Sequence, residues 1–301
     1  MTAPLPPLAP VPPPPGRAGR ARVVARRFLR DRSATAGLLG LLTLAAVAAA
    51  GPAVLAWDHR AVDTAAFLEP PGAGHWLGTT QSGRDVLALT LEGLRTSLLV
   101  GLGAGALQTA VAAVVGTVAA YRGGLLDRVV LWVIDLLLVV PGYILVAVLT
   151  VRAGGEPGSV GLLVLVLGGF GWMLSARVVR AMTLSLKELD YVAAARYMNV
   201  PAAAIIARHV LPNLASLLVV DATLAVASAV LAETSLSYFG FGVQAPETSL
   251  GTLLAEGQRT ATTFPWVFLA PAAALVALLG CVNLVGDGLR GALDPAEGGR
   301  A

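Results

Sequence analysis

Six stretches of this chain run for about the length of a membrane-crossing helix with almost no charge, and no other feature narrows its folding options so far. They cover 36–57, 97–120, 129–151, 160–174 with an extension beyond it, 214–232 and 266–285. A bilayer's hydrocarbon core is about 30 Å thick and takes roughly 20 apolar residues of helix to cross. Hydrophobic residues make up 56% of the chain and charged ones 13%, with a mean hydropathy of +0.76. That balance belongs to integral membrane proteins and excludes a soluble enzyme. The expected fold class is therefore all-α, an integral membrane protein with six transmembrane helices.

Basic residues set the expected orientation, because Lys and Arg are retained on the cytoplasmic side. With the N-terminus inside, 16 of the 21 Lys and Arg fall on inner segments, leaving Arg60, Arg84, Arg95, Arg152 and Arg259 outside. Both termini and the polar segment 186–213 are then cytoplasmic, and the net charge of +3 reports topology rather than nucleic-acid binding. Cys281 is the single cysteine and lies in the sixth run, so no intramolecular disulfide framework is possible. The first apolar run follows a basic segment and is long enough to span, which reads as an uncleaved anchor rather than a leader.

Residues 1–35 read as a Pro-rich and basic cytoplasmic tail. Its first 16 residues are expected to be disordered or polyproline-like, and 21–32 a basic amphipathic lead-in suited to anionic lipid. An external segment, 58–94, follows the first span (36–57). Gly78 and Gly83 mark turns there, and Asp85 with Leu87, Leu91 and Leu94 suggests a short amphipathic helix running into the second span. That span is crowded with small residues, among them Gly101, Gly103, Gly105 and Gly116, which let helix backbones approach closely in lipid.

Three carboxylates fall within or at the ends of apolar runs: Asp135, Asp221 and Glu233. A carboxylate in hydrocarbon is costly and faces a protein interior or a wet cavity, so each is open to a pathway-lining or a structural role. Pro141 is expected to kink the third span, and Arg177 with Arg180 to close the fourth at the inner surface. The external connection 240–264 carries Glu247, Glu256 and Arg259.

The polar interruption at 186–213 reads as a hinge. Leu189, Val192 and Ala193, with Tyr191, Ala195 and Met198 beside them, recur at helical spacing. Asn199 tolerates a left-handed position at the end of that helix, and Val200 is kept out of the α region by Pro201. Pro201 suits the first turn of a second helix over 202–210, which is expected to stop at Pro212. An amphipathic connector lying in the headgroups has the same spacing.

Ala193-Ala194-Ala195, three residues, Asn199, and a short apolar helix ending Arg208-His209-Val210-Leu211-Pro212-Asn213 resemble the EAA loop of binding-protein-dependent ABC importer permeases. Ala193 stands where that family usually has Glu, and Asn199 where it has Gly. Further motifs are similar to the dipeptide, oligopeptide and nickel branch: His75, Leu77, Gly78 and Thr79 followed by Gly83-Arg84-Asp85, with Thr80 in place of Asp; the run 121–124; Ala232-Glu233-Thr234-Ser235-Leu236-Ser237 through Val243; and 283–295.

The resemblance implies a type I ABC importer permease fold, with an ABC transmembrane type-1 domain over 95–290, a coupling loop at 186–213 and a cytoplasmic tail at 291–301. It implies that Asp190, Tyr191, Ala194, Ala195, Arg196, Asn199, Pro201, Arg208, Leu211 and Pro212 couple the chain to a cytoplasmic ABC ATPase. It also implies a second homologous permease subunit and an extracytoplasmic substrate-binding protein docked on 78–95 and 240–264.

The only lysine, Lys187, sits in Ser-Leu-Lys-Glu, so the chain has no Gly-Lys-Ser/Thr phosphate loop and ATP must be bound by another chain. His59, His75 and His209 are divided between the two sides of the membrane in this topology, which leaves no shared metal site. No nucleophile stands beside a base, and no cofactor, metal or enzymatic activity is expected. Two functions remain. One is the permease subunit of an ATP-driven importer in the cell membrane, carrying small peptides or a related solute. The other is a secondary transporter or channel using Asp135, Asp221 and Glu233.

Overall fold

The computed structural model describes residues 17–140 and 159–293, together with Gly142, Ile144 and Val148 between them. Among these residues every extended element is helical, and pairing between strands is confined to one isolated bridge, Thr79 with Asp85. The helices are α1 (Arg17–Arg30), α2 (Arg32–Val54), α3 (Val86–Arg122), α4 (Gly124–Val139), α5 (Val160–Lys187), α6 (Asp190–Tyr197), α7 (Ala202–Ile205), α8 (Leu211–Tyr238), α9 (Leu250–Gln258) and α10 (Trp266–Leu293). A five-residue π turn, Ile206–Val210, joins α7 to α8.

Five helices among the described residues are long and apolar enough to cross a membrane: α2, α3, α5, the α7–α8 continuation, and α10. The expected third span is represented by α4 as far as Val139. Its remainder, with the kink expected at Pro141, lies outside the described residues. The protein is a multi-pass, all-α membrane protein.

Helix ends follow local chemistry. Asp31 caps α2: its carboxylate accepts from the Ser33 hydroxyl and from the Ser33 and Ala34 amides, and the Ser33 hydroxyl, first among these, holds the carboxyl below the ordinary aspartate range. Asp85 caps α3 through the Ala88 amide at 2.8 Å. Gly123 and Gly124 both have positive φ, which turns the chain sharply between α3 and α4.

The central column is α3, which packs along α5 and α8 and is flanked by α2, α10 and α9. Small residues permit this. A Cβ on Gly105 would lie 2.8 Å from the Val226 amide nitrogen, and one on Gly116 would lie 2.6 Å from the Ala176 carbonyl. The cores are correspondingly local. Leu94, Leu98, Val230, Leu278 and Val282 pack together between α3, α8 and α10, while Val100, Ala104, Leu163, Leu167 and Leu236 pack between α3, α5 and α8.

Several expected boundaries move. Residues 17–30, within the segment read as a tail with a basic amphipathic lead-in, form the continuous helix α1, and Phe28 buries against Ala34 and Ala292. The short amphipathic helix expected before the second span is its first turns, because α3 runs unbroken for 37 residues from Val86. The break expected at Pro212 is absent: Pro212 sits in the first turn of α8. A proline ring collides with the carbonyl four residues back in a regular helix, and the widened turn ahead of it, with Leu211 N–H bonded to Ile206 O, lets the chain pass without stopping.

The bundle has two unlike ends. α1, the last turns of α10 and the 186–213 segment gather at one, as do Tyr121 and Lys187. Segment 55–85, α9 and the loop 239–249 gather at the other.

Candidate functional site

The 186–213 segment is a rigid elbow. After α5 the backbone breaks at Leu189 (φ −72°, ψ 141°), and α6 begins at Asp190. α6 closes with Asn199 left-handed at φ 56°. The Val200 amide donates to the Ala195 carbonyl at 3.1 Å and the Asn199 amide to the Arg196 carbonyl at 3.0 Å, a Schellman termination. Pro201 lies one position before α7 rather than inside it, and its carbonyl accepts from Ala204 and Ile205. Asn213 then ties the two arms: its side-chain amide donates to the His209 carbonyl at 2.6 Å and to the Tyr191 hydroxyl at 3.1 Å.

A buried cluster holds this elbow on the bundle. Val192, Ala195, Ile205, Val210 and Leu214 pack with Tyr121 of α3 and Val179 of α5. Lys187 Nζ donates to the Ala120 carbonyl at the end of α3, and the Arg196 guanidinium lies 5.9 Å from the centre of the Tyr121 ring. Of the expected apolar face, Val192 and Ala195 are buried and Ala193 is half-buried. Leu189, Tyr191 and Met198 are exposed, because α6 is too short to bury a full stripe and turns these side chains away from the bundle. Asp190, Ala194, Arg196, Asn199, Pro201 and Arg208 are exposed beside them, Leu211 and Pro212 are half-buried, and Tyr197 completes an apolar surface.

The three carboxylates have separate environments. Asp135 forms an ion pair with Arg177 of α5. Arg177 lies about 15 Å of helix before Lys187. Arg180 grips Asp127 with two bonds, Nε to Oδ1 at 2.6 Å and Nη2 to Oδ2 at 2.7 Å. Asp221 accepts from the Ser175 hydroxyl at 2.7 Å, and its other oxygen is buried without a partner.

Glu233 is fully buried. It accepts from Ser97 of α3 at 2.8 Å and from Ser237 at 2.7 Å, and those hydroxyls accept in turn from the amides of Leu250 and Val243. Two relays thus converge on one carboxylate and fasten α3, α8, the 239–249 loop and α9.

The opposite end carries the remaining motif residues. His75 is buried between Asp85 (Nδ1 to Oδ2, 2.9 Å) and Asp63 (Nε2 to Oδ2, 3.5 Å) and stacks on Trp57 with ring centres 4.6 Å apart. Arg84 donates twice to the His59 carbonyl. Gly78 and Gly83 have positive φ, and a Cβ on either would fall 2.5 Å or less from a backbone carbonyl, Glu69 or Asp63. These motif residues build a folded cap rather than an open loop. Between the cap and α9 lies a cleft of about 400 Å³, lined by Arg60, Arg84, Glu247, Thr248, Thr252 and Glu256 among others.

Sequence reading missed the partners in these pairs: Arg177 for Asp135, Ser175 for Asp221, Ser97 for Glu233, and Asp63 with Asp85 for His75. Only the opposite charges of Asp135 and Arg177 inside neighbouring spans offered a signal. His59 and His75 lie at the cap end and His209 in the elbow, where its ring is 6.0 Å from that of Tyr191. Among the described residues no cluster of His, Cys, Asp and Glu has the geometry to hold a metal.

Comparison with known proteins agrees with this architecture. Residues 112–298 match the family described as binding-protein-dependent transport system inner membrane component. The oligopeptide transport system permease protein OppC of Mycobacterium tuberculosis is 53% identical over 91% of this chain and 94% of its own length. A putative peptide permease of Brucella suis is 38% identical over 90% of this chain and 89% of its own. OppC of Bacillus subtilis is 32% identical over 89% of this chain and 87% of its own. The match spans more than half of the chain and its relatives cover nearly all of it, so this protein belongs to the family of binding-protein-dependent transport system inner membrane components.

Proposed function

We propose that this chain is one of two permease subunits of an ATP-driven importer for oligopeptides. The elbow end lies in the cytoplasm and the cap end faces the binding protein. A separate ATPase seats the exposed face of α6, where Leu189, Tyr191, Ala194, Tyr197 and Met198 offer apolar and aromatic surface ringed by Asp190, Arg196 and Arg208. Motion there passes into α8 through the π turn and into α5 through Leu189, and the spans then rotate as rigid bodies between inward and outward openings. The cargo follows from the relatives named as peptide permeases, and the orientation from the Lys and Arg distribution.

The observation that carries the reading is the elbow itself. Its termination at Asn199, its buried face and its fusion to α8 make a stiff lever that leaves Leu189, Tyr197 and Met198 exposed on its outer face. The experiment is Ala194→Arg. This exposed position adds bulk and charge without touching the core, so the variant reaches the membrane at wild-type levels, fails to co-purify with the ATPase subunits and loses peptide uptake. Normal ATPase association and uptake in that variant would overturn the coupling role. Uptake driven by a proton gradient with no ATPase present would favour a secondary transporter.

A further inference from the structure

Positive charge gathers on one helix that is not itself a span. Residues 1–35 hold seven arginines and a single acid, Asp31. That carboxylate is already engaged, accepting through Oδ1 from the Ser33 hydroxyl and from the Ser33 and Ala34 amides.

Asp31 also breaks the helix, with φ −77° and ψ 118°, so α1 is set apart from the α2 span that follows it. α1 is held where two spans end. Val24 and Phe28 pack with Ala34 and Leu38 of α2 and with Val285, Leu289 and Ala292 of α10. Asp287 and Arg290, 74% and 58% exposed, mark the polar level at the same end of α10.

Around the axis of α1 the side chains are sorted by kind. Arg22, Arg26 and Arg30 recur every fourth residue, about 40° apart and about 6 Å along the helix. Arg26 lies about 160° from both Val24 and Phe28, so the row faces away from the bundle. Val23 and Leu29 flank Arg26 at about 60° on either side, and they are 46% and 63% exposed. All three arginines are exposed, and among the described residues none of them has a carboxylate within ion-pair distance.

Like charges four residues apart on a helix repel one another. Water alone would relieve the repulsion but would leave Val23 and Leu29 uncovered beside the row. The headgroup layer meets both needs: anionic phosphates face the guanidiniums, and glycerol and acyl carbons lie against the apolar flanks. A guanidinium also grips phosphate through two parallel bonds.

We propose that the Arg22, Arg26 and Arg30 row of α1 is a binding surface for anionic phospholipid, and that lipid held there clamps α1 against the ends of α2 and α10. The phosphate belongs to the bilayer rather than to a solute, because apolar side chains border the row on both sides. Such a clamp depends on the membrane fold alone, whatever the cargo or the ATPase.

Amide hydrogen exchange over residues 22–31 tests the clamp. The full-length chain is placed in nanodiscs of phosphatidylcholine alone, or of phosphatidylcholine with an equal part of phosphatidylglycerol. Wild-type amides of this segment are expected to exchange at least about fivefold more slowly in the anionic discs, the weight of one basic residue at an anionic surface. Added sodium chloride is expected to erase the difference, since salt screens exposed charge. The triple variant Arg22→Gln, Arg26→Gln, Arg30→Gln keeps helix-forming side chains and removes the charge, so it is expected to exchange alike in both discs. Arg26→Gln alone is expected to narrow the difference, and it serves if the triple variant does not incorporate.

Equal exchange of the wild type in the two lipids would overturn the proposal, and so would a lipid dependence that survives in the triple variant. Inorganic phosphate that slowed exchange in phosphatidylcholine discs would replace the lipid surface with a site for a soluble anion. Slowing that came only on adding the ATPase subunits would give the row to an acidic protein surface, and the lipid assignment would fall.

Discussion

Two residues fix geometry that their neighbours cannot. Asn199 is left-handed at φ 56°, a conformation that costs most side chains about 1–2 kcal/mol and glycine almost nothing. Asn199→Gly is accordingly expected to leave the thermal midpoint of the purified complex unchanged or slightly raised. Asn199→Val, with a β-branched side chain, is expected to lower stability by about 1–2 kcal/mol and to weaken ATPase co-purification by unseating the Schellman turn. Equal melting of the two variants would show that the turn does not constrain the elbow. At the other end Glu233 is the sole acceptor for the Ser97 and Ser237 hydroxyls that the structure shows. Leaving a buried hydroxyl without an acceptor costs about 1–3 kcal/mol. Glu233→Gln keeps one acceptor oxygen and is expected to lose about that much, whereas Glu233→Ala strands both hydroxyls and is expected to lose about twice as much. Chemical denaturation in detergent, with the 239–249 loop as a site of limited proteolysis, reads both losses. Wild-type protease resistance in Glu233→Ala would mean that the relays are not what holds the loop.

At the scale of elements, α6 is a short helix whose rotation about its own axis decides what it can do. Ala195 is buried against Tyr121 and Val192, and Ala194, one position earlier, is exposed. Ala195→Leu forces extra methylenes into a closed cluster and is expected to cost about 1–3 kcal/mol. Ala194→Leu is expected to stay within about 0.5 kcal/mol of wild type. A reversal of that order in thermal melts would mean that the helix is turned by about one residue. Here the limits of the sequence become physical. The spans were legible because burial in lipid demands uninterrupted apolar composition, which is a local property. The left-handed turn at Asn199 was legible because Asn is one of the few non-glycine residues that tolerate it. The continuation past Pro212 was not, since a proline signals a stop unless a widened turn precedes it, and nothing in Ile206 to Val210 announces one. Nor was the cap, because its bonds run from His75 to Asp85 and from Arg84 to His59, and only the folded chain brings those residues together. The apolar periodicity of α6 named its residues but could not say which of them face the bundle.

The whole molecule is arranged around α3, and the tightness of its seams is uneven. Toward α8, a Cβ on Gly105 would meet Val226 N at 2.8 Å and Cα at 3.0 Å, both backbone atoms that cannot step aside. Toward α5 the seam is mixed: a Cβ on Gly116 would meet the Ala176 carbonyl at 2.6 Å, whereas one on Gly103 would meet only the Val164 side chain, at 3.0 Å and beyond. On the outer face of α5, Gly169 has nothing within 4 Å. Helices in lipid are held by close packing rather than by expulsion of water, so the points where backbone meets backbone, Gly105 against α8 and Gly116 against α5, carry the largest share of the association. The alanine series should therefore be graded. Gly105→Ala parts α3 from α8 and is expected to cost about 1–3 kcal/mol. Gly103→Ala is absorbed by a shift of one valine and is expected to cost less than about 1 kcal/mol. Gly169→Ala is expected to be neutral or to stabilise by up to about 1 kcal/mol through helix propensity. Thermal melts of the three variants in one detergent measure the order directly. If Gly103→Ala proved the most damaging, Val164 would be held as firmly as the backbone atoms that face Gly105 and Gly116, and contact with a side chain rather than with backbone would not mark a forgiving point of the seam.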